Sequence, residues 1–272
     1  MKKVKRVLSV MLVLAMALTV FAGCSSDNGS GNSASADNSG SSDKKYVIAT
    51  DTTFPPFEFT DEQNEFVGID VDILAAVAAD QNFEYDLQPL GFEAACTAVS
   101  TGQADGVIAG MSITDDRLKL YDFSDSYYQS TVCAAVLESS DITSLDGLKG
   151  KNVAVKNGTQ SARWAESIKD EYNLTLTYFE DSALMYQDVN TGNSVACFED
   201  YPVMAYGVSQ GNGMKIIAEE SEEFATPYAF GVQKGKNAEL IEMFNKGLAN
   251  IKENGEFDKI VEKYLGAADQ AE

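Results

Sequence analysis

From Tyr46 onward, short apolar runs alternate with longer stretches of helical periodicity, and glycine or polar clusters separate them. The runs YVIAT (46–50), FEYDLQPL (83–90) and DGVIAG (105–110) predict strands. Between them, a helix through VDILAAVAA with Asp70 as its cap is expected, then a helix FEAACTAVS broken at Gly102. A second series follows Tyr127-Tyr128: STVCAAVL, NVAV (152–155), LTLTYF and SVACF predict strands, and TQSARWAESIKDEY, ALMYQDV and YPVMAYGVSQ predict helices. AFGVQK (229–234) is the last clear strand. Leu240, Ile241, Phe244, Leu248 and Ile251 then share one face of a terminal helix, which Asn254-Gly255 stops. Strands and helices in alternation predict an α/β architecture.

The two series echo each other. AVSTGQADGVIAG (98–110) and DVNTGNSVACFED (188–200) share Val-x-Thr-Gly, and VIATDTT (47–53) parallels VAVKNGT (153–159) as strand then polar turn. Two related lobes are therefore expected.

The beginning of the chain is different. Lys2, Lys3, Lys5 and Arg6 precede an apolar run from Val7 to Val20 that ends in Phe21-Ala22-Gly23-Cys24. The run is short for a membrane span, and small residues directly precede the cysteine. The pattern resembles a bacterial lipoprotein signal (1–23), cleaved before Cys24 and acylated on that sulfur. Residues 25–44 carry no large apolar side chain and read as a flexible tether, so 24–45 is expected to hold the globular part roughly 25 Å from its anchor.

Charge narrows the function. With 20 basic and 42 acidic residues in 272, the net charge is −22, and loss of the signal's four cations takes it to −26. Such a surface repels phosphate, which argues against nucleic-acid partners and against binding to anionic membrane surfaces. The absence of histidine removes His-dependent nucleophile systems and His-ligated metal sites; no cofactor or metal is expected. Apart from Cys24, three cysteines remain in apolar contexts, Cys96, Cys133 and Cys197. They read as buried free thiols, with a Cys133–Cys197 bridge as the alternative if their strands are neighbours.

Four segments place polar or glycine residues just past a predicted strand: Asp51-Thr52-Thr53, Gly110-Met111-Ser112, Lys156-Asn157-Gly158-Thr159 and Glu199-Asp200. In open α/β sheets, ligands bind beyond the carboxyl ends of the strands. Outside the signal there are two arginines. Arg163, mid-helix beside Glu166, reads as a surface residue. Arg117 follows a strand and a turn, where its planar fork suits a carboxylate; a local pair with Asp115 or Asp116 is the alternative. Asp200 can answer an ammonium group, and Phe54 and Phe92 can sandwich a small side chain.

ATDTTFPPFEF, FVGIDVDILAAVA, GMSITDDRLKLYDFSDSYY, VAVKNGTQ, FEDYPV and NKGLANIKENGEFDKIVEKYLG together resemble the polar amino-acid substrate-binding proteins of ABC importers, solute-binding protein family 3. The resemblance covers 46–266. It implies a two-lobed periplasmic-binding-protein type II fold, with mixed sheets flanked by helices and a two-strand hinge. Lobe 1 would be 46–126 plus 229–272, lobe 2 132–224, and the hinges near 127–131 and 225–228. By the same resemblance Gly110 and Asp200 hold the ligand's amino group, Ser112 and Arg117 its carboxylate with backbone N–H near Thr159 and Gln160, and Phe54 and Phe92 flank its side chain. Within the family the chain most resembles the glutamine binders, because Asp51 and Lys156 both match; a glutamine amide offers a donor to a carboxylate and an acceptor to an ammonium. Gln160 stands where the glutamine binders carry a small residue, and Glu199 is an added anion that strand alternation turns from the cleft.

The implied partners are a free amino acid and the permease and ATPase subunits of an importer, with the chain a monomer on the extracytoplasmic face of the membrane, held by its lipid anchor. Binders of basic amino acids or cystine are the alternative. A cyclohexadienyl-dehydratase-like enzyme would need a general acid in the cleft, for which Glu199 is the candidate. A sensor ectodomain would signal through a separate membrane partner.

Overall fold

A computed structural model describes residues 44–220 and 222–266. The expected signal, Cys24, the tether up to residue 43 and residues 267–272 lie outside the described residues. In chain order the elements are β1 (Lys45–Thr50), a hairpin of β2 (Phe59–Thr60) and β3 (Phe66–Val67), α1 (Ile69–Gln81), β4 (Glu84–Pro89), α2 (Phe92–Ser100), β5 (Gly106–Val107) and β6 (Tyr121–Phe123). The chain passes through β7 (Tyr128–Ser130) into β8 (Val132–Leu137), β9 (Asn152–Lys156), α3 (Gln160–Tyr172), β10 (Thr175–Phe179), α4 (Ser182–Asn190), β11 (Ala196–Asp200), α5 (Tyr201–Ser209) and β12 (Met214–Glu220). It returns through β13 (Thr226–Tyr228) to β14 (Gly231–Gln233), α6 (Ala238–Glu253) and α7 (Glu256–Leu265).

Two five-stranded sheets result, ordered β4-β1-β5-β14-β6 and β10-β9-β11-β8-β12. In each, three parallel strands built as strand-helix-strand-helix-strand are extended by antiparallel neighbours. The sequence echo has a structural counterpart here, because β1 and α2–β5 hold the places in the first sheet that β9 and α4–β11 hold in the second. The fourth strand betrays the crossing of the chain. β8 opens the second series ahead of its three parallel strands, whereas β14 joins the first sheet only after the second is complete. Between the sheets, β7 pairs with β13.

Strand alternation explains why both faces of each sheet are covered. On β1, Tyr46 and Ile48 pack with Ile73, Val77, Phe244 and Leu248 of α1 and α6, while Ala49 meets Phe92, Ala95 and Val99 of α2. On β9, Val153 and Val155 pack with Trp164 and Phe198, while Ala154 joins Cys133, Cys197, Met185 and Met204. Cys96, Cys133 and Cys197 are all free thiols.

Several details differ from the sequence expectations. Asp70 does not cap α1: the cap position is Gly68 at φ 145°, and a Cβ there would lie 2.0 Å from the Phe57 carbonyl oxygen. Asp70 instead sits buried in the first turn, accepting from Gly110 N at 2.7 Å and from the Tyr127 hydroxyl at 2.8 Å. The 105–110 run narrows to β5 because the chain turns at Gly110 toward the site. β6 and β12 add strands that the apolar pattern did not isolate, and Gly255 separates α7 from α6.

Asp70 also faces Glu58. Neither Glu58 oxygen nor Asp70 Oδ1 meets an N–H or O–H donor, and both residues are fully buried. Two buried carboxyl groups so placed resist ionising together, which favours one proton kept between them. Burial raises both groups, Asp70 to about 7 and Glu58 well above the usual carboxylate range, with the charges of Asp70 and Asp51 adding to the effect on Glu58. The folded chain thus binds protons that the unfolded chain releases near pH 4, so this pair's contribution to stability is complete below about pH 4 and declines as pH rises through 7. We expect the denaturation midpoint to fall between pH 5 and pH 8. In Glu58→Gln, whose amide donates to Asp70 without a titrating proton, the fall should be smaller. A variant with the wild-type pH slope would exclude a shared proton as its source.

Candidate functional site

The carboxyl ends of β1, β4 and β5 face those of β9 and β11, and the residues after them close around one small cavity. Its wall comprises Asp51, Phe54, Phe92, Gly110, Ser112, Arg117, Lys156, Thr159, Gln160 and Asp200, the ten residues named from sequence, together with Ala109. The free space is about 10 Å³, room for roughly one water, so an amino acid enters only when the walls separate or a side chain swings aside. None of the ten lines the larger groove of about 850 Å³ behind β7, between α5 and α7.

Local structure accounts for six of these positions. Asp51 directly follows β1, and Lys156 and Asp200 are the last residues of β9 and β11. Gly110 has φ 53°, and a Cβ would come within 2.5 Å of the Phe54 ring; only glycine lets the chain pass the aromatic wall here. Thr159 caps α3, its hydroxyl accepting from Ala162 N at 3.1 Å, so the first-turn amides of α3 open on the cavity beside Gln160.

The electrostatics divide the cavity. At one end Lys156 and Asp51, each 1% exposed, form an ion pair across the cleft. The Lys156 ammonium lies 4.8 Å from the Phe54 ring centroid. At the other end Arg117 donates to the Ser112 carbonyl at 2.8 Å and, across the cleft, to the Gly158 carbonyl at 3.0 Å. Its guanidinium stands 5.0 Å over the Phe92 ring. Arg117 makes no pair with Asp115 or Asp116. Asp116 accepts instead from Lys119 and, at 2.7 Å, from Arg163, which is exposed yet bridges the cleft mouth. Between the two ends, Asp200 takes the Tyr228 hydroxyl on Oδ2, while its buried Oδ1 meets no donor. Burial, and then the charge of Glu199, raise the Asp200 carboxyl to about 7.

Sequence reasoning did not find the residues behind this wall. Asp70 and Tyr127 brace Gly110, Tyr228 holds Asp200, and Ser182 and Tyr186 donate to Glu199 at 2.8 and 2.9 Å. These contacts join residues 13 to 57 positions apart, which no local pattern encodes. Glu199 is fully buried and does not line the cavity.

The arrangement can hold a small zwitterion, with cationic and N–H donors for a carboxylate, acceptors for an ammonium, and an aromatic wall between. Among the described residues no group of three or more Cys, Asp or Glu is placed to hold a metal ion.

Comparison with known proteins points the same way. An arginine-binding periplasmic protein from Mannheimia haemolytica is 33% identical over 225 residues, covering 81% of this chain and 91% of that protein. An ancestral arginine-binding protein solved with arginine is 35% identical, with TM-score 0.75 over 82% of this chain and 98% of that one. Substrate-binding domain 2 of GlnP from Lactococcus lactis, solved in an open conformation, is 43% identical over 82% of this chain and 95% of the domain, but its TM-score is 0.57. The more similar sequence superposes less well, as two rigid lobes at a different angle would, and the ion pair and the Arg117 and Arg163 contacts across the cleft agree with a closed arrangement. The family model for bacterial extracellular solute-binding proteins, family 3, matches residues 46–267, and the chain belongs to that family.

Proposed function

We propose that this chain is an extracytoplasmic receptor that closes around one free polar amino acid, glutamine by preference, and hands it to the permease and ATPase of an ABC importer. The observation that carries this reading is the meeting of Arg117, the donor-free oxygen of Asp200 and the Asp51–Lys156 pair in one enclosed cavity. In this reading the ligand carboxylate lies on Arg117, Ser112 and the amides at Thr159 and Gln160. Its ammonium goes to Asp200 Oδ1 and the Gly110 carbonyl, and its bound charge favours the ionised form of Asp200. Phe54 and Phe92 flank the side chain, whose amide N–H₂ meets Asp51 and whose carbonyl meets Lys156. Glutamate would face Asp51, and a cationic ligand would face Lys156.

Closure would turn on the paired segments near 127–131 and 225–228, swinging lobe 2 (132–224) against lobe 1 (46–126 plus 229–272). Acylation of Cys24 would keep a monomeric receptor beside its permease. A basic ligand is the second reading, favoured by relatives described as arginine-binding and by Asp51 itself. The dehydratase reading loses its candidate acid, because Glu199 stands behind the wall.

A thermal-shift screen of the twenty amino acids tests the reading directly. A ligand at 100 times its Kd adds about 2.7 kcal/mol of stability, so a true ligand stands out; no shift with any of them would refute it. Arg117→Lys should weaken binding although charge is kept, because one ammonium cannot reproduce a two-pronged fork. Arg117→Ala should cost on the order of 2–5 kcal/mol, at least about 25-fold in affinity. Calorimetry placing the alanine variant within about threefold of wild type would remove Arg117 from the site. Lys156→Ala should weaken glutamine binding while raising the affinity for arginine relative to glutamine; arginine binding tightest to the wild type would reverse the assigned preference. Cys24→Ser should abolish incorporation of a fatty-acid probe while leaving ligand binding intact, and continued labelling would exclude Cys24 as the acylation site.

A further inference from the structure

We propose that Glu199, which touches no ligand, offers Lys156 a second resting place through Ser182, and that this lets the cleft take cationic as well as neutral side chains. The inference rests on the amino-acid-binding reading above and concerns the side-chain end of the same cavity.

The Lys156 ammonium has three protons to place and no water around it. One side faces Asp51 across the cleft; on the other, Ser182 Oγ lies 3.5 Å away. That hydroxyl, itself 1% exposed, donates to Glu199 Oε2 at 2.8 Å. A continuous relay therefore runs from Lys156 through Ser182 to Glu199, leading away from the cavity. Glu199 is held in place by Tyr186, which donates to the same oxygen at 2.9 Å, and by Asp200 N, which donates to Oε1 at 3.0 Å. No cation bonds Glu199 directly, and Lys156 is the positive group whose field it feels. The lysine thus sits between two buried carboxylates, one forming the cavity wall and one behind it.

The two resting places suit two ligand chemistries. With a neutral amide, Lys156 stays with Asp51 and both take part in binding. A guanidinium or ammonium needs Asp51 for itself, and a buried lysine left without a carboxylate would forbid it. Turning about its terminal bonds, Lys156 can move toward Ser182 and Glu199, leaving two ion pairs, ligand with Asp51 and Lys156 with Glu199. With a neutral side chain the one lysine serves both carboxylates, Asp51 directly and Glu199 through Ser182; with a cationic side chain each carboxylate has a cation of its own. A merely structural Glu199, bracing α4 against β11, would affect all ligands alike.

The test is calorimetry with glutamine and arginine on the full chain, comparing wild type, Glu199→Gln, Lys156→Ala and the double variant. We expect wild type to bind both amino acids, glutamine more tightly. Glu199→Gln keeps the shape and should hold glutamine affinity within about threefold while weakening arginine by about tenfold or more. In the Lys156→Ala background the same change should leave the ratio of the two affinities unaltered to within about twofold, because there is no lysine left to relocate. Ser182→Ala, which removes the bridge without a charge change, should shift the ratio in the same direction and serves if Glu199→Gln does not fold. A wild type that binds glutamine but not arginine would overturn the proposal. So would an unchanged ratio in the foldable variant, or a loss of arginine binding that persists without Lys156. A wild type that binds neither amino acid, while another amino acid or none shifts its melting, would instead refute the glutamine reading on which the proposal rests.

Discussion

A buried charge must meet an opposite charge, and in this chain the partners come from different sheets. Lys156 ends β9 and Asp51 follows β1, so their ion pair exists only while the two lobes are together. Opening returns both groups to water, which solvates them well; closing must replace that solvation with geometry. The pair is therefore better suited to selecting what may lie between the lobes than to holding them shut. The remaining contacts of the cleft follow the same logic, since Arg117 reaches the Gly158 carbonyl and Arg163 reaches Asp116 only across the gap.

The hinge side supplies what the charges do not. Tyr228 lies in the middle of an aromatic cluster, with ring centroids 5.2 Å from Phe57 and 6.0 Å from Tyr128, and its hydroxyl ends on Asp200. One side chain thus joins the crossing strand β13 and the core of the first lobe to Asp200 of the cavity wall. Asp70 does the equivalent work on the other side, bonding both Gly110 of the wall and Tyr127 beside β7. The crossing strands are thereby tied to two groups of the cavity wall, the Asp200 carboxylate and the Gly110 N–H.

Much of this was legible in the chain because strand ends are punctuated. Asp51-Thr52-Thr53 and Lys156-Asn157-Gly158-Thr159 interrupt apolar runs abruptly, and a residue just past a parallel strand can only be at the carboxyl edge of its sheet. The roles of those residues came from resemblance, not from periodicity. What stayed hidden was tertiary. Asp70 has the composition and place of a helix cap, and nothing nearby in sequence announces that Gly110 and Tyr127 will claim its carboxylate. β12 escaped because its residues are mostly half-buried at a sheet edge, so Lys215, Glu219 and Glu220 dilute the apolar signal, and a bulge between Ile216 and Ala218 breaks the period. Glu199 was readable as an anion turned from the cleft, but not as a neighbour of Ser182 and Tyr186.

The position of β14 has a consequence for how the chain acquires its shape. It lies between β5 and β6, with some 107 residues of chain, including the whole second lobe, separating Phe123 from Gly231. A chain emerging from its amino end can complete the second lobe from contiguous sequence, but the first must wait with two strand edges unpaired until this three-residue strand arrives. Such a non-local insertion is slow, and unpaired edges invite association with other chains. Truncations at the carboxyl end therefore strike the lobe that begins the protein, and folding help during export would matter most for β5 and β6.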